Sequence, residues 1–299
     1  MNIKLSLILL VSLLLAGPVA AETTYQPFVL ASVNDTSLDE QTEATTSVLE
    51  QAGFMVVGQY SPVEDSNVIV VTSQNLMAVA ALSEKGGYGA GQRVSVSLRD
   101  NKAEVTFVNP LYIQHAYRLE GDLQSVYDQL SQVLGNMEAF GAEKKMTAKK
   151  LAKYHYMMAM QRFDDPSELG SFDSHEAALA AVEKGLAVEG DALTQIYRID
   201  IPGKDQSVFG VGMKAANDEE KDIDSTFQMS IVDFEGFSKV AYFPYEVLVS
   251  GKEVEALHMR FRMAVHFPDL SMMGEHGFTK LISAPGATQK ALEGMVSGE

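Results

Sequence analysis

The sequence predicts an α+β fold in two related domains, each a mostly antiparallel sheet with helices packed on one face. Three observations predict it. Short β-branched runs recur through both halves of the 299-residue chain and are joined by tight turns. Several runs follow each other directly, as hairpins do, so a doubly wound parallel sheet is excluded. A short motif also recurs. Gln114-His115-Ala116-Tyr117-Arg118 precedes Asp122-Leu123, and Arg262-Met263-Ala264-Val265-His266 precedes Asp269-Leu270.

The first half opens with a strand at Phe28-Val29-Leu30-Ala31-Ser32-Val33. Ser37-Leu38-Asp39-Glu40 is a capping box, in which Ser37 accepts from the third amide and Glu40 reaches back. The helix it starts carries Leu38, Thr42, Thr45, Val48, Leu49 and Ala52 on one face and stops at Gly53. Strands follow at Phe54–Val57 and Val68–Val71, then a short helix through Leu76, Val79 and Ala80. Its end at Gly86-Gly87 leads into a glycine-rich stretch read as a helix cap and a mobile loop. Arg93–Leu98 and Ala103–Val108 form a hairpin through Asp100-Asn101. His115 falls on an apolar face with Leu111, Ile113 and Tyr117. Leu123, Val126, Leu130, Val133 and Leu134 mark an amphipathic helix ending at Gly135.

In the second half, Tyr154–Phe163 reads as a strand, and Asp173-Ser174-His175-Glu176 caps a helix ending near Gly185. Strands are expected at Thr194–Ile201, Val208–Met213, Phe227–Phe234, Val240–Phe243, Val247–Val249 and Glu255–Phe267. A helical region from Phe278 is interrupted at Pro285-Gly286. The expected organisation is a signal peptide at 1–21, a first domain at 22–137, a linker at 138–153 and a second domain at 154–299.

The signal is read from Lys4, the apolar run Leu5–Ala16, a break at Gly17-Pro18, and small residues before Glu22. Cleavage after Ala21 and a periplasmic destination are expected. The chain has no Cys, so thiol redox chemistry, Cys-ligated metals and disulfides are all excluded. Its 46% hydrophobic content is sufficient for a core without them. The formal charge of −17 disfavours nucleic acid and an anionic membrane surface as partners.

Gly53-Phe54, Asn109-Pro110-Leu111, Ala116-Tyr117-Arg118 and Gly121-Asp122-Leu123 lie at intervals through the first half. With these residues, Tyr25 to Gly135 resembles a bacterial family of small α+β domains of unknown function. The resemblance implies an open antiparallel sheet covered by helices on one face. It implies no activity, because the family has none assigned.

The candidate binding site is the run expected as a strand from Glu255 to Phe267. With a two-residue period, Leu257, Met259, Phe261, Met263, Val265 and Phe267 form a core face. The other face presents His258, Arg260, Arg262 and His266. Two guanidiniums so spaced can clamp a carboxylate or phosphate. The competing reading is a solvated face paired with Asp and Glu. Met272, Met273 and His276 offer thioether and imidazole donors for Cu(I), against a reading as ordinary core or surface residues. Asp218–Asp224 lacks the glycine and terminal Glu of a calcium loop. No Gly-x-Ser-x-Gly elbow and no His-Glu-x-x-His motif occur. The expectation is a non-catalytic binding protein for a small anion or a protein partner. Soft-metal handling and a hydrolase assembled in space are the alternatives, and no cofactor is indicated.

Overall fold

The computed structural model describes residues 22–144, 146–188 and 192–298. The expected signal peptide, and with it the cleavage at Ala21, lies outside the described residues. The first half runs β1 (Thr24–Tyr25), β2 (Phe28–Asn34), α1 (Leu38–Gln51), β3 (Met55–Tyr60), β4 (Ser66–Thr72) and α2 (Gln74–Leu82). It continues with β5 (Gln92–Arg99), β6 (Lys102–Val108), α3 (Pro110–Ala116), α4 (Gln124–Leu134) and β7 (Glu138–Phe140). β8 (Met146–Thr147), which pairs with β1, and α5 (Ala148–Leu151) follow. The second half holds β9 (Ser167–Ser171), α6 (His175–Leu186), β10 (Leu193–Asp200), β11 (Gln206–Met213) and α7 (Ser225–Val232). It ends with β12 (Tyr245–Ser250), β13 (Glu253–Ala256), α8 (Met259–His266) and α9 (Ala284–Ser297).

The fold class is α+β; beside the two-stranded β1–β8 pair, the described residues form two large antiparallel sheets. The larger has the order β3-β4-β5-β6-β2-β7 and the smaller β10-β11-β12-β13-β9. Without β7, the two orders are the same: in each half the first strand returns to pair with the fifth. A helix also occupies the same place between the third and fourth strands, α2 in one half and α7 in the other. The recurring motif falls at equivalent places too, on α3 and α8.

Local chemistry explains the elements that the sequence identifies. Ser37 and Glu40 make both bonds of the capping box at α1. Asp100 and Asn101 both take positive φ, 50° and 60°, as a two-residue hairpin turn requires. Ser174 caps α6. Four expectations are corrected. Phe227–Val232 falls in the helix α7 rather than a strand, because Asp224 Oδ1 accepts from Phe227 N and starts a helical turn. Val240–Tyr242 is a 3₁₀ turn, and Tyr154–Phe163 forms no strand. Pro285 sits in the first turn of α9, where its missing N–H costs nothing, so it opens that helix. The acidic run is a 3₁₀ helix capped by Asn217, and Asp224 ends it by capping α7.

The sheets meet through the faces turned away from α1, α4 and α6. On β5, Val94 and Val96 face α1, while Arg93, Ser97 and Arg99 reach partners in the second half. The junction is therefore polar at its centre, with apolar layers behind each sheet. Backbones approach closely here. A Cβ on Gly58 of β3 would lie 2.5 Å from the Ile196 carbonyl oxygen of β10. The glycine-rich stretch serves the same contact. Gly86–Gly89 is a buried 3₁₀ turn, and Gly87 N donates to Gln206 Oε1 at 2.9 Å. Lys85 and Tyr88 bond Glu255 at 2.7 and 3.2 Å. The stretch is thus a docked wedge rather than the mobile loop expected; glycines are needed because a Cβ on Gly87 would strike Leu248 at 2.4 Å.

Candidate functional site

The run expected as one strand is split. β13 ends at Ala256, and α8 carries Arg260, Arg262 and His266. The single cationic face therefore does not form. The physical reason is burial on nearly every side: all residues of α8 except Arg260 are buried. Alternation of Met, Phe and Val then says nothing about period. His258 caps the helix, its Nδ1 accepting from Arg260 N at 3.2 Å, and is half-buried. Burial, the Arg260 charge and a weaker opposing effect of Asp165 leave its imidazole below its ordinary pKa. Arg260 is exposed.

Arg262 and His266 stand one helical turn apart and point into the junction between the sheets. Arg262 Nε donates to Glu246 Oε2 at 2.8 Å. Its Nη2 donates to the carbonyls of Tyr242 and Pro244 at 2.7 and 2.6 Å. Its guanidinium lies 4.2 and 4.8 Å from the ring centres of Tyr242 and Tyr245. Arg93 Nη1, from the other sheet, donates to Glu246 Oε1. The four charged or titratable groups of this cluster, Arg93, Glu246, Arg262 and His266, are each 3% exposed or less.

The hydrogen bonds assign the His266 tautomer. Nδ1 lies 2.8 Å from the Arg262 carbonyl, which only accepts, so Nδ1 carries the proton. Nε2 is then the acceptor for Arg93 Nη2 at 3.1 Å. Burial, and then the charges of Arg93 and Arg262, push this imidazole well below its ordinary pKa. Burial works against the charge of Arg262, but Glu246 together with Tyr242, Tyr117 and Tyr245 holds its guanidinium well above its ordinary pKa.

Two of the four expected residues, Arg262 and His266, thus come together, but with Arg93 and Glu246, which sequence reasoning missed. The available signal was weak. Glu246 is the one charge inside the apolar run Tyr245–Val249, and a lone carboxylate in a buried strand needs a cation. The strand order that supplies Arg93 is not readable from the sequence.

A second feature opens to solvent. A cleft of ≈ 850 Å³ lies between the ends of β4, β5 and β6 and the segment from α7 to Val240. Asp233 Oδ2 accepts from Arg99 Nη2 at 2.5 Å, and Lys239 Nζ lies 3.7 Å from Oδ1. Burial pushes the Asp233 carboxyl up to about 6, although Arg99 and Lys239 act against the shift. Glu104 Oε2 accepts from Ser238 N at 3.0 Å, and the Ser97 and Ser238 hydroxyls are 2.9 Å apart. Glu64, Asp65 and Asp100 form an exposed acidic rim. Leu98, Met229 and Phe237 supply apolar wall.

Met272 and Met273 are exposed, at 41% and 76%, so neither fills the core. Their loop returns on itself, with Thr279 N bonded to the Met272 carbonyl. The His276 ring stacks on Phe234 at 4.0 Å, and its Nδ1 is buried without a partner. Among the described residues, no group of three or more His, Asp or Glu is placed to hold a metal ion. No described helix is long and apolar enough to cross a membrane. No family model, no curated protein and no solved structure matches the chain.

Proposed function

We propose that this chain is a non-catalytic binding protein that takes a small cationic ligand in the cleft between its two halves. The carrying observation is the open ≈ 850 Å³ cleft where the halves meet, which is where ligand sites concentrate. Its lining holds five carboxylates, Glu64, Asp65, Asp100, Glu104 and Asp233, against one guanidinium, Arg99, which is already bonded to Asp233. That balance favours an ammonium or guanidinium group, with Leu98, Met229 and Phe237 receiving an apolar body. It takes the place of the anion expected from the cationic strand face, which does not form. Binding is favoured over hydrolysis because, among the described residues, no imidazole lines the cleft to activate its hydroxyls, and those of Ser97 and Ser238 bond each other. The apolar run Leu5–Ala16 and the absence of Cys support export to the periplasm.

The test is a thermal-shift and calorimetric comparison of diamines and polyamines with dicarboxylates of matched length. Cations are expected to raise Tm, and Asp65→Asn with Asp100→Asn to weaken their binding about tenfold. Both rim residues are exposed, so the folded state is expected to tolerate the change. Stabilisation by the dicarboxylates alone would overturn the reading.

The exposure of Met272 and Met273 favours one further reading, soft-metal binding, since thioethers outside the core are free to ligate. It predicts that the protein competes with a chromogenic chelator for Cu(I), and that Met272→Leu, Met273→Leu and His276→Ala together abolish this. Retention of all copper by the chelator against the unaltered protein would remove it.

A further inference from the structure

The Arg93–Glu246–Arg262–His266 cluster does not balance its charge. Two guanidiniums are enclosed with one carboxylate, and each oxygen of Glu246 is already taken by one of them. His266 adds no charge, because its Nε2 serves as the acceptor for Arg93. Among the described residues, Glu246 is the one carboxylate bonded to either guanidinium. One positive charge is left in excess where water is largely excluded. Such a charge is expensive unless a counter-charge joins it. The aromatic faces of Tyr242 and Tyr245 soften it but carry no net charge.

Donors are also left over. Arg262 Nη1 and Arg93 Nε are buried and have no partner. The hydroxyls of Tyr60, Tyr117 and Tyr242 are buried and unpartnered as well. All three tyrosines lie close enough to Arg93, Arg262 and Glu246 to feel their charges. Surplus N–H and O–H donors together with surplus positive charge define what is missing. A water molecule would satisfy donors but leave the charge. A second carboxylate would satisfy both, and among the described residues none but Glu246 bonds these guanidiniums.

We propose that this buried cluster binds one small monovalent anion of the halide class, held by the unpartnered Arg262 Nη1. The anion makes the charge of the cluster neutral and ties β5 of one sheet to β12 and α8 of the other. This site is separate from the cleft and does not depend on the ligand proposed there. Arg262 and His266 are thus part of an anion site, as an interior counter-ion site rather than a surface clamp.

Bromide is the probe. Crystals grown in sodium bromide are expected to show an anomalous peak within hydrogen-bond distance of Arg262 Nη1. In solution, chloride at saturation is expected to raise Tm by on the order of 5 °C over the bulkier anion methanesulfonate at equal ionic strength. Arg93→Gln keeps the Glu246–Arg262 pair and removes the surplus charge, so this chloride dependence is expected to vanish. If that variant does not fold, the bromide crystal of the unaltered protein decides alone. Water in place of bromide at Arg262, or bromide at surface positions only, overturns the proposal, as does a Tm indifferent to the choice of anion.

Discussion

Glu246→Gln is expected to cost about 3–5 kcal/mol of stability, the range for breaking a buried ion pair from one side. The side-chain shape is preserved, so the loss measures charge and hydrogen bonding rather than a cavity. Arg93 and Arg262 would then share the interior with no carboxylate. Two unneutralised guanidiniums a few ångströms apart both lose their counter-charge and repel each other. The exposed pair Arg118–Asp164 is the internal contrast. Its N–O distance is 3.1 Å, yet both side chains face solvent, so Asp164→Asn is expected to cost about 0–1 kcal/mol. Urea denaturation is the appropriate measurement, because guanidinium chloride would add both a cation and a halide. A second substitution, Arg93→Gln, in the Glu246→Gln background is expected to recover part of the loss, giving a non-additive cycle. A Glu246→Gln cost no larger than that of Asp164→Asn would show that the cluster does not hold the sheets together.

The second large effect is a pH dependence with opposing contributions. His266 is buried neutral, and its folded pKa lies well below the unfolded value of about 6.5. The unfolded chain therefore binds the proton first as pH falls. Stability from this group is present above pH 6.5 and is lost below it, at about 1.4 kcal/mol per pH unit. His258 and His115, less buried, are shifted in the same direction by burial and add to the trend. Asp233 acts the other way. Its folded pKa is raised to about 6, above the unfolded value of about 3.9. Its contribution is fully present below pH 3.9 and is lost as pH rises through 6. The Asp233 and histidine contributions partly cancel between pH 4 and 6, so the unaltered protein is expected to show a shallow profile there. Asp233→Asn removes one side of this balance and is expected to expose a steep loss of stability on acidification below pH 6.5. His266→Gln in that background is expected to flatten it again. Urea midpoints measured from pH 4.5 to 7.5 check both, and an unchanged slope in Asp233→Asn would contradict the assignment. The imidazole resonances of His266 are likewise expected not to titrate near pH 6.5.

Elements were legible where one side chain fixes local geometry. Ser37 with Glu40, Ser174, Asp100-Asn101 and Gly135 each specify a backbone conformation through a bond or a positive φ that neighbours alone determine. Strands whose polar and apolar residues alternate, such as Arg93–Leu98, were legible from that two-residue period. Legibility failed where burial surrounds an element. In α8 every residue but Arg260 is buried, so strand and helix periods fit equally and the cap residue His258 decides; in α7 the cap residue Asp224 decides. The glycine-rich wedge failed differently. Its glycines answer to Leu248 and Gln206, more than a hundred residues away in sequence.

The chain's composition and order of residues determined the α+β class, the antiparallel pairing, the absence of thiol chemistry and the presence of Arg262 and His266 near one another. Those properties depend on local sterics, counts and spacing along the backbone. The tertiary structure decided which charges meet. Arg93 and Glu246 are 153 residues apart, and a charged interaction in a dry interior depends on distance and enclosure rather than on sequence separation. That is why a run read as a cationic surface became half of a buried cluster. It is also why the acidic cleft formed by Asp65, Glu104 and Asp233 appeared only when the two sheets were brought together.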